Sequence, residues 1–243
     1  LIIRLAHRTG AVDRPHSYKT HTQPTALLGG LGIFLGFAVA LFSILRFPDW
    51  AAHQDVFAIL GGALAVLVLG IVDGFHPLWA VGKLLVLFLV TLGLSAFDVR
   101  ISLTGVAWVD LALTLLWIAG VSSAMNSLDN MDGAAGGTAA IAAFWTFYIA
   151  WYSDRWGQPA VSYVAIALLG ACLGFLRYNW TPASSFLGDN GSLLLGFLLA
   201  ALTVQAGWAH NDRIKAVLVP CAILVVPLYD ITLATLLRIK NGV

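Results

Sequence analysis

Eight apolar runs, each between 16 and 24 residues long, follow one another along the chain with short polar loops between them. They are Ala26 to Phe47, Val56 to Val72, Leu78 to Phe97, Ala107 to Met125, Ala134 to Tyr152, Ala160 to Leu176, Ser192 to Gly207 and Ile214 to Leu237. A bilayer core about 30 Å thick needs about 20 apolar residues at about 1.5 Å per residue. Only helices and closed barrels satisfy their backbones in lipid, and these runs lack the polar alternation of a barrel strand. The expected fold is all-α, a polytopic membrane helix bundle of about eight transmembrane helices forming a single integral-membrane domain over residues 1–243. The sixth and seventh runs are short and are expected to be tilted, half-buried or extended by their flanks. Leu1 to Ala6 reads as the stub of an earlier helix, and the final residues stop just after a helix exit.

Composition agrees. Charged residues make up 10% of the chain and hydrophobic ones 60%, against about 25% charged in soluble domains. A net charge of +1 gives no electrostatic case for nucleic acid. Cys172 and Cys221 lie inside apolar runs and suggest packing, not a disulfide framework.

Loop parity divides the polar residues between two sides. One side holds the loop before the first run, then Asp73 to Pro77, Asn126 to Gly133, Arg177 to Gly191 and the tail from Arg238. It carries eight basic residues: Arg4, Arg8, Arg14, Lys19, Lys83, Arg177, Arg238 and Lys240. The other side carries five: Arg46, Arg100, Arg155, Arg213 and Lys215. The excess points the first side to the cytoplasm. The second side has short connections with Trp50, Trp108, Trp156 and Trp208 placed as interfacial anchors. Residues Val99 to Leu103 are either a short external strand or plain loop.

The first side concentrates the chemistry. Its loops contain Asp13-Arg14-Pro15 through Lys19-Thr20-His21, then Asp73, then Asn126-Ser127-Leu128-Asp129-Asn130-Met131-Asp132-Gly133, then Gly188-Asp189-Asn190-Gly191-Ser192. Each has a bland reading: Asp73 as a helix-end carboxylate, the third string as a polar turn, Asp189 as an N-cap. If the third string is helical, Asn126, Asp129 and Asp132 fan over about 120° and converge on one ligand. It lacks the spacing and terminal Glu of an EF-hand. Ionisable groups at membrane depth are costly and usually functional, and here independent helix counts bring several to one interface. Carboxylates so close repel unless a divalent metal neutralises them. Mg²⁺, with Mn²⁺ as a substitute, prefers a few oxygen ligands plus substrate phosphates, and Lys19, His21, Lys83 and Arg177 suit phosphate groups. The residues alone therefore describe a cytoplasmic-face, metal-assisted site for a phosphorylated substrate.

The chain resembles the polyprenyl-phosphate N-acetylhexosamine-1-phosphate transferases (glycosyltransferase family 4), which include the phospho-MurNAc-pentapeptide translocase. The matching pieces are Asp13…Pro15…Lys19-Thr20-His21…Gly29-Gly30, Gly70-Ile71-Val72-Asp73, Asn126-x-x-Asp129-x-x-Asp132-Gly133, Phe175 to Trp180 and Phe186 to Ser192. The resemblance implies a polyprenyl phosphate attacking a UDP-N-acetylhexosamine with release of UMP, a reaction of cell-wall and polysaccharide biogenesis. By the same resemblance Asp189 and Asn126 hold Mg²⁺. Asp73, Asp132 and Asp189 are the catalytic set. Lys19, His21, Lys83, Asp129, Asp132 and Asn179 contact substrate, although Arg177 and Asn179 look more like scaffold. The Lys19-Thr20-His21 form looks more like the branch using UDP-GlcNAc or similar simple sugars. Implied partners are the UDP-sugar, the polyprenyl phosphate, the membrane and, as one option, a second copy in a homodimer.

Three departures stand out: Asp73-Gly74 where the family carries two adjacent aspartates, Ser123 where Asn is common, and no His-rich loop after the eighth run within the 243 residues. Two other readings compete. An ion-coupled transporter would place coupling residues near the midplane of inverted repeats; here the acids cluster at one interface and no repeat is evident. Asp110, expected at the outer end of its helix, and Asp230, expected near the inner side, are the acids it would use. A non-catalytic family relative is the other.

Overall fold

The computed structural model describes residues 1–13, 25–44, 54–152, 159–206 and 213–242. Lys19 and His21, with Arg14 and Pro15 of the first loop and the expected anchors Trp50, Trp156 and Trp208, lie outside the described residues. The helices are α1 (Ile2–Thr9), α2 (Gly29–Ile44), α3 (Gln54–Phe75), α4 (Ala80–Ser95), α5 (Ala107–Leu128), α6 (Ala134–Tyr152), α7 (Pro159–Asn179), α8 (Gly188–Gln205), α9 (Arg213–Ile223) and α10 (Val225–Asn241). Two short strands, β1 (Val12–Asp13) and β2 (Thr25–Ala26), pair antiparallel with Val12 opposite Ala26. Residues Val99 to Leu103 form loop rather than a strand.

Helix α8 is the centre of the bundle. Every residue from Asn190 to Val204 is buried, and α2, α3 and α5 pack around it. A helix apolar on all faces belongs inside a bundle rather than at its surface. Helices α6 and α7 form a second tight pair. Ala135, Ala139, Ala142 and Ala143 face it from α6, small side chains that let membrane helices approach closely.

Each of the first seven expected runs forms one helix. The eighth does not: it breaks at Leu224 into α9 and α10, bent by 81°. Proline explains the break. Pro227 has no N–H to donate to the carbonyl of Ile223, one turn earlier, so the ladder cannot continue through the elbow. Among the described residues four helices, α3, α5, α6 and α7, are long and apolar enough to cross a bilayer by length and composition, or five if the bent pair is one span. Helices α2 and α4 have 16 residues each, about 24 Å at 1.5 Å per residue, short of a full hydrocarbon core. The sixth run is extended by its flanks as expected, to 21 residues in α7.

The first loop is pinned to the start of α8. The Phe186 N–H donates to the Ala26 carbonyl at 2.8 Å, and the Gly29 N–H donates to the Phe186 carbonyl at 3.2 Å. The beginnings of α2, α4 and α8 and the ends of α3, α5 and α7 thus share one end of the bundle.

Candidate active site

Two glycines set the geometry. At Gly70, one turn before Asp73, an added Cβ would lie 2.7 Å from the Asp189 carbonyl. Only glycine lets α3 press this closely on the first turn of α8. Gly188 has φ of +69°, and its chain turns there tightly enough that a Cβ would meet the Leu27 carbonyl at 2.8 Å. Asp73 and Asp189, 116 positions apart in sequence, become neighbours as a result.

Lys83 lies between them. Its ammonium pairs with Asp73 Oδ2 and sits 3.3 Å from Asp189 Oδ2. Asp73 Oδ1 accepts the Leu78 N–H at 2.8 Å. On the far side of Asp189, Asn126 Nδ2 donates to Asp189 Oδ1 at 3.0 Å and to Ser192 Oγ at 2.9 Å. Four helices therefore converge: α3 brings Asp73, α4 Lys83, α5 Asn126 and α8 Asp189. Side-chain exposure is graded across them, 2% for Asp73, 24% for Lys83 and 44% for Asp189. Asp189 is the carboxylate an incoming ligand reaches first.

Asp129 follows the last residue of α5. Burial, reinforced by the charges of Asp189 and Asp132, pushes its carboxyl up to about 7, against a hydrogen bond from the Gly188 backbone. Negative charge is in excess here, with Lys83 as the cation among the described residues that contacts it. The donors are carboxylate and amide oxygens, the hard ligands a small divalent cation takes. Asp189 offers such an oxygen, and the Asn126 amide lies beside it with its Nδ2 turned towards the carboxylate. Among the described residues no three carboxylates, histidines or cysteines close into a protein-only metal cage; an ion here would share its coordination with a ligand or water.

Several expected positions need correction. Asp189 does not cap α8 from outside; it is the second residue of the helix, and Leu187 occupies the cap position. The string from Asn126 to Asp132 is not helical throughout. Helix α5 ends at Leu128, and Asp129 has φ −78° and ψ 48°, so the turn, not helical periodicity, brings Asp129 towards Asp189. Asp132 turns to the loop between α7 and α8 instead, where its Oδ2 accepts the Ala183 N–H at 3.1 Å. Asn179 is 3% exposed; its oxygen accepts the Gly133 N–H at 2.9 Å and its Nδ2 donates to the Ser185 carbonyl at 3.0 Å. Its amide is spent on holding two loops together. Arg177 is exposed in the last turn of α7.

Sequence reasoning missed two partners. Ser192 receives Asn126, a signal present in its place one helical turn after Gly188. Asp230 of α10 accepts a hydrogen bond from Ser127 Oγ at 3.3 Å, so the bent last helix reaches the same end as the site.

The site's carboxylates gather at one end of the bundle and not at its midplane, where a carrier's coupling residues lie. Residues 56–207 match the model of glycosyl transferase family 4. A probable undecaprenyl-phosphate N-acetylglucosaminyl 1-phosphate transferase of Bacillus subtilis is 32% identical over 99% of this chain and 68% of its own length. A decaprenyl-phosphate N-acetylglucosaminephosphotransferase of Mycobacterium tuberculosis is 32% identical over 98% of this chain and 66% of its own. A phospho-N-acetylmuramoyl-pentapeptide-transferase of Halalkalibacterium halodurans is 32% identical over 81% and 66%. The chain spans about two thirds of the length of these relatives. It belongs to glycosyl transferase family 4, a multi-pass membrane protein whose relatives are phosphosugar transferases.

Proposed function

We propose that this end of the bundle transfers N-acetylhexosamine-1-phosphate, GlcNAc-1-phosphate first among the candidates, from a UDP-sugar to a polyprenyl phosphate, at the cytoplasmic face and with Mg²⁺. The observation that carries it is the contact set Asp73–Lys83–Asp189–Asn126, drawn from four helices at one interface. The names of the relatives supply the substrate class, and the excess of basic residues on this side supplies the orientation.

The acceptor needs little activation. A phosphate monoester has its second pKa near 6, so most of it carries a free oxyanion at neutral pH. That oxygen forms a bond to the sugar-linked phosphorus of the UDP-sugar. The bond from this phosphorus to the bridging oxygen breaks, and UMP leaves with the electron pair. Positioning and charge neutralisation then dominate. Lys83 presents an ammonium to phosphate oxygens beside the nearly buried Asp73, whose carboxylate orients it. Asp189 and Asn126 hold Mg²⁺, which when bound neutralises the diphosphate charge. Asp132, with Asp129 nearby, is assigned to the uridine side on the resemblance. Lys19 and His21 of the first loop are assigned to phosphate or sugar on the resemblance alone.

The test is UMP release by the detergent-solubilised protein at its natural length, given polyprenyl phosphate, Mg²⁺ and labelled UDP-GlcNAc. The expected result is UMP formation that requires both the lipid phosphate and the metal. No UMP with any member of a panel of UDP-N-acetylhexosamines would overturn the reading.

A further inference from the structure

Helix α10 leaves the line of α9 at the elbow and has little apolar packing to hold it. Of its residues Pro227 alone is buried, while Tyr229, Leu236 and Ile239 stand exposed. Its main packing partner is the end of α5. From Val225 to Leu237 the one charged side chain is Asp230, in an otherwise apolar stretch. A carboxylate in such a stretch is costly and usually functional, so its presence has to be accounted for.

Its use is visible on α5. Asp230 Oδ2 accepts the Ser127 hydroxyl at 3.3 Å. Ser127 lies in the last turn of α5, next to Asn126, whose Nδ2 donates to Asp189 Oδ1 at 3.0 Å and to Ser192 Oγ at 2.9 Å. Successive residues of a helix are turned by about 100°, so the two side chains address different neighbours, α8 for Asn126 and α10 for Ser127. The Ser127 carbonyl in turn accepts the Asn130 amide, which folds the chain back past Asp129 once the helix has stopped at Leu128. The segment that brings Asn126 and Asp129 towards Asp189 is therefore tied to α10 through one side chain. The 81° bend is what swings Asp230 onto α5.

We infer that Asp230 is a positioning residue of the cation site: through Ser127 it fixes the last turn of α5, and with it Asn126 and the turn at Asp129, relative to Asp189. Its part is that of a hydrogen-bond acceptor and not of a metal ligand, so an amide in its place should serve nearly as well. The inference rests on the cation reading of that site.

The test compares wild type, Asp230→Ala, Asp230→Asn, Ser127→Ala and the double alanine variant in the detergent-solubilised protein. Two quantities are measured: Mn²⁺ affinity by electron paramagnetic resonance, and hydrogen–deuterium exchange of the amides from Asp129 to Gly133. Each single alanine variant is expected to bind Mn²⁺ about ten-fold more weakly, the size of one hydrogen bond to a charged group, and to exchange faster in the turn. The double variant should be no worse than either, because both substitutions remove the same bond. Asp230→Asn still accepts the Ser127 hydroxyl and should stay within about two-fold of wild type. Ser127→Ala tests the same bond from the other side should Asp230→Ala not fold. Undiminished affinity in the folded alanine variants, additive losses in the double variant, or an Asp230→Asn as weak as Asp230→Ala would each overturn the inference. No Mn²⁺ binding by wild type would overturn the metal reading instead; faster exchange in the alanine variants would then still bear out the anchoring of the turn, and unchanged exchange would overturn it.

Discussion

The two ends of the bundle each bury an aspartate, and they use it differently. Asp110, 6% exposed at the start of α5, is satisfied by its own neighbourhood. Its carboxylate accepts the N–H groups of Leu103, Thr104 and Gly105 at 3.3, 2.9 and 3.2 Å and the Thr104 hydroxyl at 2.8 Å. All donors come from within seven residues. Asp73, 5% exposed at the end of α3, takes one local N–H and one ammonium shared with a second carboxylate from a distant helix. A local, neutral, complete set of donors makes a loop staple. A non-local set that mixes charges and leaves carboxylates facing each other costs stability, and a site that binds a cationic ligand offsets that cost only when loaded.

Substitutions at the two ends should separate these roles. Asp189→Asn is expected to lower UMP release by about 10²–10³-fold, the usual scale for removing one electrostatic contact in an active site, while gel filtration and circular dichroism stay those of wild type. Asp110→Ala should do the reverse. It removes the acceptor of three part-buried N–H groups, at about 1 kcal/mol, read as a lower thermal midpoint, with turnover per folded molecule unchanged. A loss of turnover there without a loss of stability would erase the distinction between the ends.

Smaller effects sharpen it. Gly70→Ala places a methyl 2.7 Å from the Asp189 carbonyl. Overpacking of this kind costs about 1–3 kcal/mol, and because it parts α3 from α8 it should lower turnover as well as the thermal midpoint. The smallest expected effect is a pH dependence. In the folded, metal-free chain Asp129 keeps its proton up to about 7, against an ordinary 3.8. The folded state binds more protons across that window, so stability falls as pH rises through it. Asp129→Asn should raise the thermal midpoint near pH 8, leave it unchanged near pH 4, and lose its advantage when Mg²⁺ is added.

Much of this was legible from the order of residues. Asp73, Asn126 and Asp189 stand at ends of apolar runs, and counting runs puts them on one side without any coordinates. Lys83 follows from the same parity, yet its place between two carboxylates does not, because that depends on how far α4 slides along α3. The three-residue spacing of Asn126, Asp129 and Asp132 allows a helix face or a polar turn, and Gly133 at φ 75° with the stop at Leu128 makes it a turn. The elbow at Leu224 was present as Pro220 and Pro227, and a long apolar run masked it. Asp230 was placed near the correct side, but its bond to Ser127 depends on the 81° bend, which hydropathy does not encode.

The central claim is that the Asp73–Lys83–Asn126–Asp189 end, and not the Asp110 end, holds a divalent cation. Electron paramagnetic resonance of Mn²⁺ titrated into the purified protein measures this directly, with Asp189→Asn and Asp110→Asn compared at the same concentration. The account expects one bound Mn²⁺ in wild type, retained in Asp110→Asn and lost in Asp189→Asn. Undiminished binding in Asp189→Asn, or equal loss in both variants, would contradict it.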